Sequence, residues 1–375
     1  MGEHGNKLWS KRSPGWFAAN AIVFVVLLVG LARLDRADGA GPAGAQATLD
    51  LEQVRPGWWE TRRAIYGGTP ARVLFRLPEG SRDAAAALAG DVWTEIERLG
   101  QVFSSFDPSS EVGRLNATAG ERSVLLSRDL RRALATSKSL HAASGGAYDP
   151  TVWPLRQLWH SAVETQVPPT DADLAAALRR VGLDNVRLSP EGRATVPAGV
   201  QLDLGGVAKG DAVDRVEAVL RAAGVESGMI ALGGDIATFG DNDGEPWRIG
   251  VQHPRDSDGL WGVVEVAHGL RVSTSGNYRQ PLEIAGKTYY HIFDPRTGRP
   301  VPSRVEGVTA LDARGRVTSA VLDGATTAMT VLGPEAGMAL ARRLDIDALI
   351  LVAGPDGLRE IMTDGFRSHY RRGEP

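Results

Sequence analysis

Three short stretches of this chain place reactive side chains beside the backbone features that such chemistry needs. His291 lies in His291-Ile292-Phe293-Asp294-Pro295-Arg296-Thr297-Gly298, an extended segment running into a tight turn. A histidine and a carboxylate so spaced can offer a base and an acceptor to one small site, and the Pro-Arg-Thr-Gly turn would fix them there. A strand histidine beside an ordinary turn is the plainer alternative. Asp323 and Thr327 stand four apart in an apolar stretch, hence on one helix face, where a carboxylate and a hydroxyl can share a hard cation. The competing reading has Thr327 bonding back to the carbonyl of Asp323, with Asp323 as a cap. Leu202-Asp203-Leu204-Gly205-Gly206-Val207-Ala208-Lys209-Gly210 reads as a short strand, a double glycine and a lysine at the head of a helix. Glycine lets backbone approach a phosphate, a helix N-terminus favours negative charge, and Lys209 adds a cation. Neither the Walker A spacing nor a Gly-x-Gly-x-x-Gly fingerprint is present, so a plain strand-to-helix connection also stays open.

Weaker signals surround these. Gly67-Gly68-Thr69 is a turn whose amides can approach a phosphate or a planar ring. The loop Ser104 to Asn116 is dense in hydroxyls and acids, with Phe106 as a flat apolar surface inside it; an N-cap at Ser109 or Ser110 is the alternative. Ser144 to Val152, containing Ala147, Tyr148 and Asp149, sets pliable backbone next to an aromatic ring and an Asp-Pro turn. Gly233-Gly234-Asp235 repeats the pattern of double glycine and acid. Ser273 to Arg279 ends a hydroxyl-rich turn in an arginine able to hold phosphate or carboxylate.

The elements that must carry these residues follow from hydrophobic period and punctuation. Helices are expected at Ser81–Leu99, Ser127–Ala143, Thr170–Val181, Gly210–Gly224, Ser319–Leu332 and Pro334–Leu344. Strands are expected at Ala71–Leu77, Asn185–Leu188, Gly228–Leu232, Arg248–Val251, Gly262–Val266, Arg271–Ser273, Tyr289–Phe293, Val305–Leu311 and Ala348–Val352. Several strands in direct succession, irregularly interleaved with helices, predict an α+β fold with mostly antiparallel mixed sheets. No linker divides residues 51–365, which read as a single catalytic domain followed by a tail over 366–375.

Composition narrows the function. The chain has 375 residues, 42 basic against 45 acidic, and a net charge of -3, which gives no footing for nucleic acid. It has no cysteine, which excludes thiolate nucleophiles, disulfides and a lipid-modified cysteine, and leaves oxygen or imidazole to hold any metal. Lys7, Lys11 and Arg12 precede an apolar run from Trp16 to Ala32, closed by Arg33, Asp35 and Arg36. Residues 1–36 therefore read as a signal or membrane anchor with its N-terminus in the cytoplasm, and 37–50 as a linker. The domain is expected to be exported, periplasmic or on the outer face of the cytoplasmic membrane, anchored by residues 16–32. Cleaved signal and uncleaved anchor both remain open.

Taken in order, Gly67-Gly68-Thr69, Ser104-Ser105-Phe106-Asp107-Pro108-x-Ser-Glu-x-x-Arg-Leu-Asn116, Gly146-Ala-Tyr-Asp-Pro-Thr151, Asp203-Leu-Gly-Gly-Val-Ala-Lys-Gly210, Gly233-Gly-Asp235, Thr274-Ser-Gly-x-Tyr-Arg279, His291 to Gly298 and Asp323-x-x-x-Thr327 resemble the exported flavin transferases, the FAD:protein FMN transferases or ApbE proteins. The resemblance spans about residues 64 to 335 and implies FAD as substrate, Mg2+ as cofactor, and transfer of FMN to a Thr or Ser hydroxyl of an exported redox protein with release of AMP. It implies Mg2+ held by Asp323, Thr327 and the carbonyl of Gly206. It implies a flavin pocket of Gly67, Phe106, Ala147, Tyr148, Asp149, Asp203, Lys209 and Ile292, with His291 as the base. An FAD pyrophosphatase and a non-catalytic FAD-binding protein are the rival readings. The family usually carries Met at 67, Tyr at 106, Asp at 277 and Ala at 324, where this chain has Gly67, Phe106, Asn277 and Gly324. These departures imply a weaker hold on FAD.

Overall fold

The computed structural model describes residues 50–256, 258–276, 281–302, 304–355 and 357–373. The expected N-terminal signal or anchor over 1–36 lies outside them, as do Asn277 and Arg279. Among the described residues no helix is long and apolar enough to cross a membrane.

The chain opens with β1 (Leu51–Arg55), β2 (Trp58–Ile65) and β3 (Thr69–Arg76), then α1 (Arg82–Phe103), α2 (Glu111–Ala117), β4 (Val124–Leu125) and α3 (Arg128–Ser144). Next come α4 (Trp153–Thr165), α5 (Asp171–Leu178), β5 (Arg187–Leu188), β6 (Arg193–Thr195) and α6 (Gly205–Ala222). Seven strands follow before β14: β7 (Gly228–Leu232), β8 (Asp235–Phe239), β9 (Trp247–Gln252), β10 (Leu260–Val266), β11 (Arg271–Gly276), β12 (Pro281–Ile284) and β13 (Lys287–Tyr290). The chain closes with β14 (Val305–Asp312), α7 (Ser319–Leu344), β15 (Asp347–Gly354), β16 (Gly357–Met362), α8 (Asp364–His369) and β17 (Tyr370–Arg372).

Nine strands form the central sheet in the order β1-β2-β3-β7-β8-β11-β14-β15-β16. Its ladders are antiparallel throughout, so the α+β class holds while the expected mixing of strand directions does not. Both faces of this sheet are covered, and alternation assigns neighbours to opposite sides. Trp59, Val73, Phe75, Ile230 and Leu232 meet α1, α3, α6 and α7 in the main core. Trp58, Leu74, Met229 and Ala231 meet a second layer built from β9, β10, α8 and β17. A third cluster joins Trp159 and Ala162 of α4 and Leu174 of α5 to Leu282, Ile284 and Phe293 around the β12–β13 hairpin.

Local chemistry explains where the helices start and stop. Ser127 caps α3 by accepting from Leu130 N at 3.2 Å, and Gly145 ends it in the left-handed region at φ 61°. Thr170 and Asp173 form a reciprocal capping box on α5. Gly333, with φ 76°, breaks the helical path inside α7 just before Pro334, where the sequence predicts two helices.

Four departures from the sequence reading matter for the site. The helix expected from Gly210 already begins at Gly205, so the double glycine lies in its first turn. The strand expected through Phe293 ends at Tyr290, leaving His291 and Ile292 on irregular backbone. α4 was not foreseen. Residues 366–372, read as a tail, are packed: Phe366 is fully buried and Tyr370–Arg372 pair with β10.

Candidate active site

The crossing of α6 and α7 is the foundation of the site. A methyl group at Gly210 would overlap the carbonyl oxygen of Ser319, and one at Gly324 would overlap Leu140 and lie 3.1 Å from Val207 Cγ1. A methyl at Gly206 would lie 3.0 Å from Tyr148 Cε2 and 3.6 Å from Thr327 Oγ1. Bare backbone at these three positions lets the helices come close enough to share side chains. Asp214 on α6 reinforces the crossing by accepting from the first amides of α7, Ser319 N at 3.0 Å and Ala320 N at 3.2 Å.

Asp323 projects from α7 across this seam. Its carboxylate accepts from Gly210 N at 3.1 Å and from Lys209 Nζ at 3.0 Å on each oxygen. Lys209 also reaches Asp235 at 3.2 Å, and Asp235 in turn accepts from Ser273 Oγ at 2.6 Å. Both acids are buried, Asp323 at 3% exposure and Asp235 at 1%, with one ammonium between them. Burial, then the charge of Asp235, push Asp323 up to about 6, against the pull of Lys209. Burial works against the charged lysine, yet the two acids outweigh it and hold Lys209 above the usual range.

This corner is short of positive charge and rich in hard oxygen. The carbonyl oxygen of Gly206 lies 3.3 Å from where a Gly324 methyl would be, and Thr327 Oγ1 donates to Asp323 O at 3.3 Å, which is the back-bond foreseen as an alternative. Gly206, Asp323 and Thr327 thus gather on one side of the seam. Among the described residues no group of three or more His, Cys, Asp or Glu could hold a metal. A carboxylate, a hydroxyl and a carbonyl suit a hard cation whose remaining positions are filled by phosphate and water, as Mg2+ prefers.

Above the seam opens a cavity of about 770 Å3. Gly67, Phe106, Ala147, Tyr148, Asp149, Asp203, Gly206, Lys209, His291, Ile292, Asp323 and Thr327, the residues that the family resemblance assigns to the site, all line it. Phe106 is 65% exposed, edge-on to Trp153 with ring centres 4.9 Å apart, and the Arg156 guanidinium stands 4.9 Å from its ring centre. Arg156 Nη1 bonds Asp203 at 2.9 Å, while Asp203 also accepts from Gly205 N at 3.0 Å. Asn116, on α2, ties this region to the irregular segment that precedes α6, where a short strand is expected from sequence, donating to Leu202 O at 2.9 Å and accepting from Leu202 N at 2.7 Å.

Two expectations change in detail. Asp149 reaches the cavity wall, but its carboxylate accepts from Thr151 N at 2.8 Å, Thr151 Oγ1 at 2.6 Å and Leu183 N at 3.0 Å, and so builds its own loop. Asp294 does not share a site with His291: Arg296 holds it at 2.8 and 2.9 Å, closing the Pro295 to Gly298 turn. Only His291 of that pair lines the cavity.

Sequence reasoning missed Trp153, Arg156 and Tyr66. The first two ride on α4, whose start was signalled by Pro154 in the first turn, a favoured position for proline. Tyr66 carried no signal beyond its place before Gly67-Gly68.

An antiparallel sheet backed by helices, with an acid-and-glycine seam under one large cavity, defines a class of α+β domain rather than an isolated arrangement. A profile of the ApbE family matches residues 68–350, and the chain belongs to that family. It is 33% identical over 304 residues to an FAD:protein FMN transferase of Vibrio cholerae, covering 80% of this chain and 89% of that one. An FAD:protein FMN transferase of Treponema pallidum is 30% identical over 308 residues, covering 78% and 84%. Among solved structures, the flavin transferase ApbE from Vibrio cholerae superposes with a TM-score of 0.73 at 28% identity, covering 84% of this chain and all of that one.

Proposed function

We propose that this chain is a flavin transferase that uses FAD as substrate and moves FMN onto a Thr or Ser hydroxyl of an acceptor protein, releasing AMP. The observation that carries the reading is the convergence of Gly206, Asp323, Thr327 and His291 on one cavity large enough for a dinucleotide. The relatives' names support the flavin chemistry.

In this scheme the aromatic rim receives the flavin ring and the seam receives the pyrophosphate. His291 takes the proton of the acceptor hydroxyl as its oxygen bonds to the FMN phosphorus and the bond to the AMP oxygen breaks. Gly206, Asp323 and Thr327 would hold Mg2+, which when bound neutralises charge on the pyrophosphate. Lys209 fixes the Asp323 carboxylate and adds positive charge beneath the phosphates. The same proposal puts the domain outside the cytoplasmic membrane, on the strength of the basic flank and apolar run over residues 7–32.

Incubation with FAD, Mg2+ and an acceptor bearing an accessible Thr is expected to give a fluorescent acceptor band and one AMP per flavin. No band and no AMP would refute the proposal. FMN and AMP in the absence of acceptor would instead make the chain a pyrophosphatase.

A further inference from the structure

Tyr66 is a residue that the flavin reading above does not use. It sits in the turn between β2 and β3 with φ 47°, a left-handed conformation that is costly for an aromatic residue. Tyr66 is 43% exposed and lines the cavity, while the two residues that follow are glycines with open space where a side chain would begin. Its ring is nevertheless fixed. The hydroxyl donates to Ile96 O at 3.0 Å, and Cε1 lies 3.1 Å from where a methyl at Gly100 would stand, so the ring rests on bare backbone of α1.

Ser104 closes α1 one turn after Gly100, with its N–H bonding Gly100 O at 3.1 Å, and Phe106 follows two residues later. Two exposed aromatic rings therefore flank the C-terminal end of one helix, both facing the same cavity. An exposed ring held in a strained turn and tied at both ends is a built surface, and a planar aromatic ligand is what such a surface takes. We infer that Tyr66 is a flavin-binding residue that supplies a second aromatic contact to the isoalloxazine ring, covering the side of the cavity that Gly67 and Gly68 leave bare. The inference rests on the flavin transferase reading and adds a residue to it.

The test titrates the full chain with FAD and with FMN, following flavin emission, and compares Tyr66→Ala, Tyr66→Phe and Tyr66→Leu. Tyr66→Ala is expected to weaken binding of both nucleotides by roughly fivefold to tenfold and to make the bound flavin brighter, because stacking on a phenol quenches it. KM for FAD should rise in step while kcat changes by less than about twofold, since the ring binds ground and transition states alike. Tyr66→Phe should keep affinity yet brighten the bound flavin, because the phenyl ring stacks as well but lacks the phenol that quenches. Tyr66→Leu, which keeps bulk on Gly100, should melt near the unsubstituted chain yet give the brighter flavin. Unchanged affinity and emission in folded Tyr66→Ala and Tyr66→Leu would overturn the inference alone. Failure of the unsubstituted chain to bind FAD would overturn the flavin reading with it.

Discussion

The seam between α6 and α7 and the rim of the cavity are built in opposite ways. At the seam, backbone touches backbone at Gly210, and two buried acids share a half-buried lysine that satisfies both, so each position is fixed by several neighbours. At the rim, Phe106 and Tyr66 leave large apolar surfaces in solvent, each supported from behind by one or two contacts. The contrast separates tasks: the seam fixes charge in space where reaction demands precision, while the rim offers area for recognition. Changes at the seam should therefore remove turnover or fold, and changes at the rim should only shift affinity.

The sharpest break is expected from Asp323→Ala. Turnover should fall to background while the melting temperature moves little, because Lys209 retains Asp235; activity with intact FAD binding by titration would show that the seam is not where charge is handled. His291→Ala should lower kcat by about 10^2 to 10^4-fold, the usual worth of a proton acceptor, with FAD affinity preserved. A parallel loss of affinity would move His291 from the reacting end to the binding end.

Gly210→Ala tests the seam as packing. Alanine gains about 1 kcal/mol of helix propensity, but its methyl meets a carbonyl oxygen rather than a movable side chain. A net loss of about 1–3 kcal/mol is expected, read as a lower denaturant midpoint. Gly324→Ala meets the side chain of Leu140 instead, which can rotate away, and should cost less. The smallest effect belongs to the rim. Phe106→Ala should weaken FAD by roughly twofold to tenfold with kcat unchanged, and a collapse of kcat there would erase the distinction between the two regions.

The site was more legible in the sequence than the elements that carry it. Glycines, acids and hydroxyls in loops announce themselves because few other roles need them together, and most of the residues so marked line one cavity, Asp235 and Asp294 excepted. The double glycine misled about the start of α6, since glycine is a poor helix former; the close approach of α7 to Gly206 and Gly210 overrides that preference. β2 escaped notice because Glu60, buried between Arg62 and Arg72, interrupts the expected alternation. The pairing of His291 with Asp294 failed for a local reason, the stronger claim of Arg296 on that carboxylate. No spacing rule could have shown that Arg156 meets Asp203 across 47 residues.

The last turn and strand of the chain bear on how the protein can be handled. Phe366 plugs the second face of the central sheet, and Tyr370 packs over Gly262 with its hydroxyl on Glu360 at 3.0 Å. A cut after residue 365 would strip the plug from Trp247, Leu349 and Leu351 and leave β10 with an unpaired edge, inviting self-association of the shortened domain. Purification tags should therefore be spaced beyond Arg372.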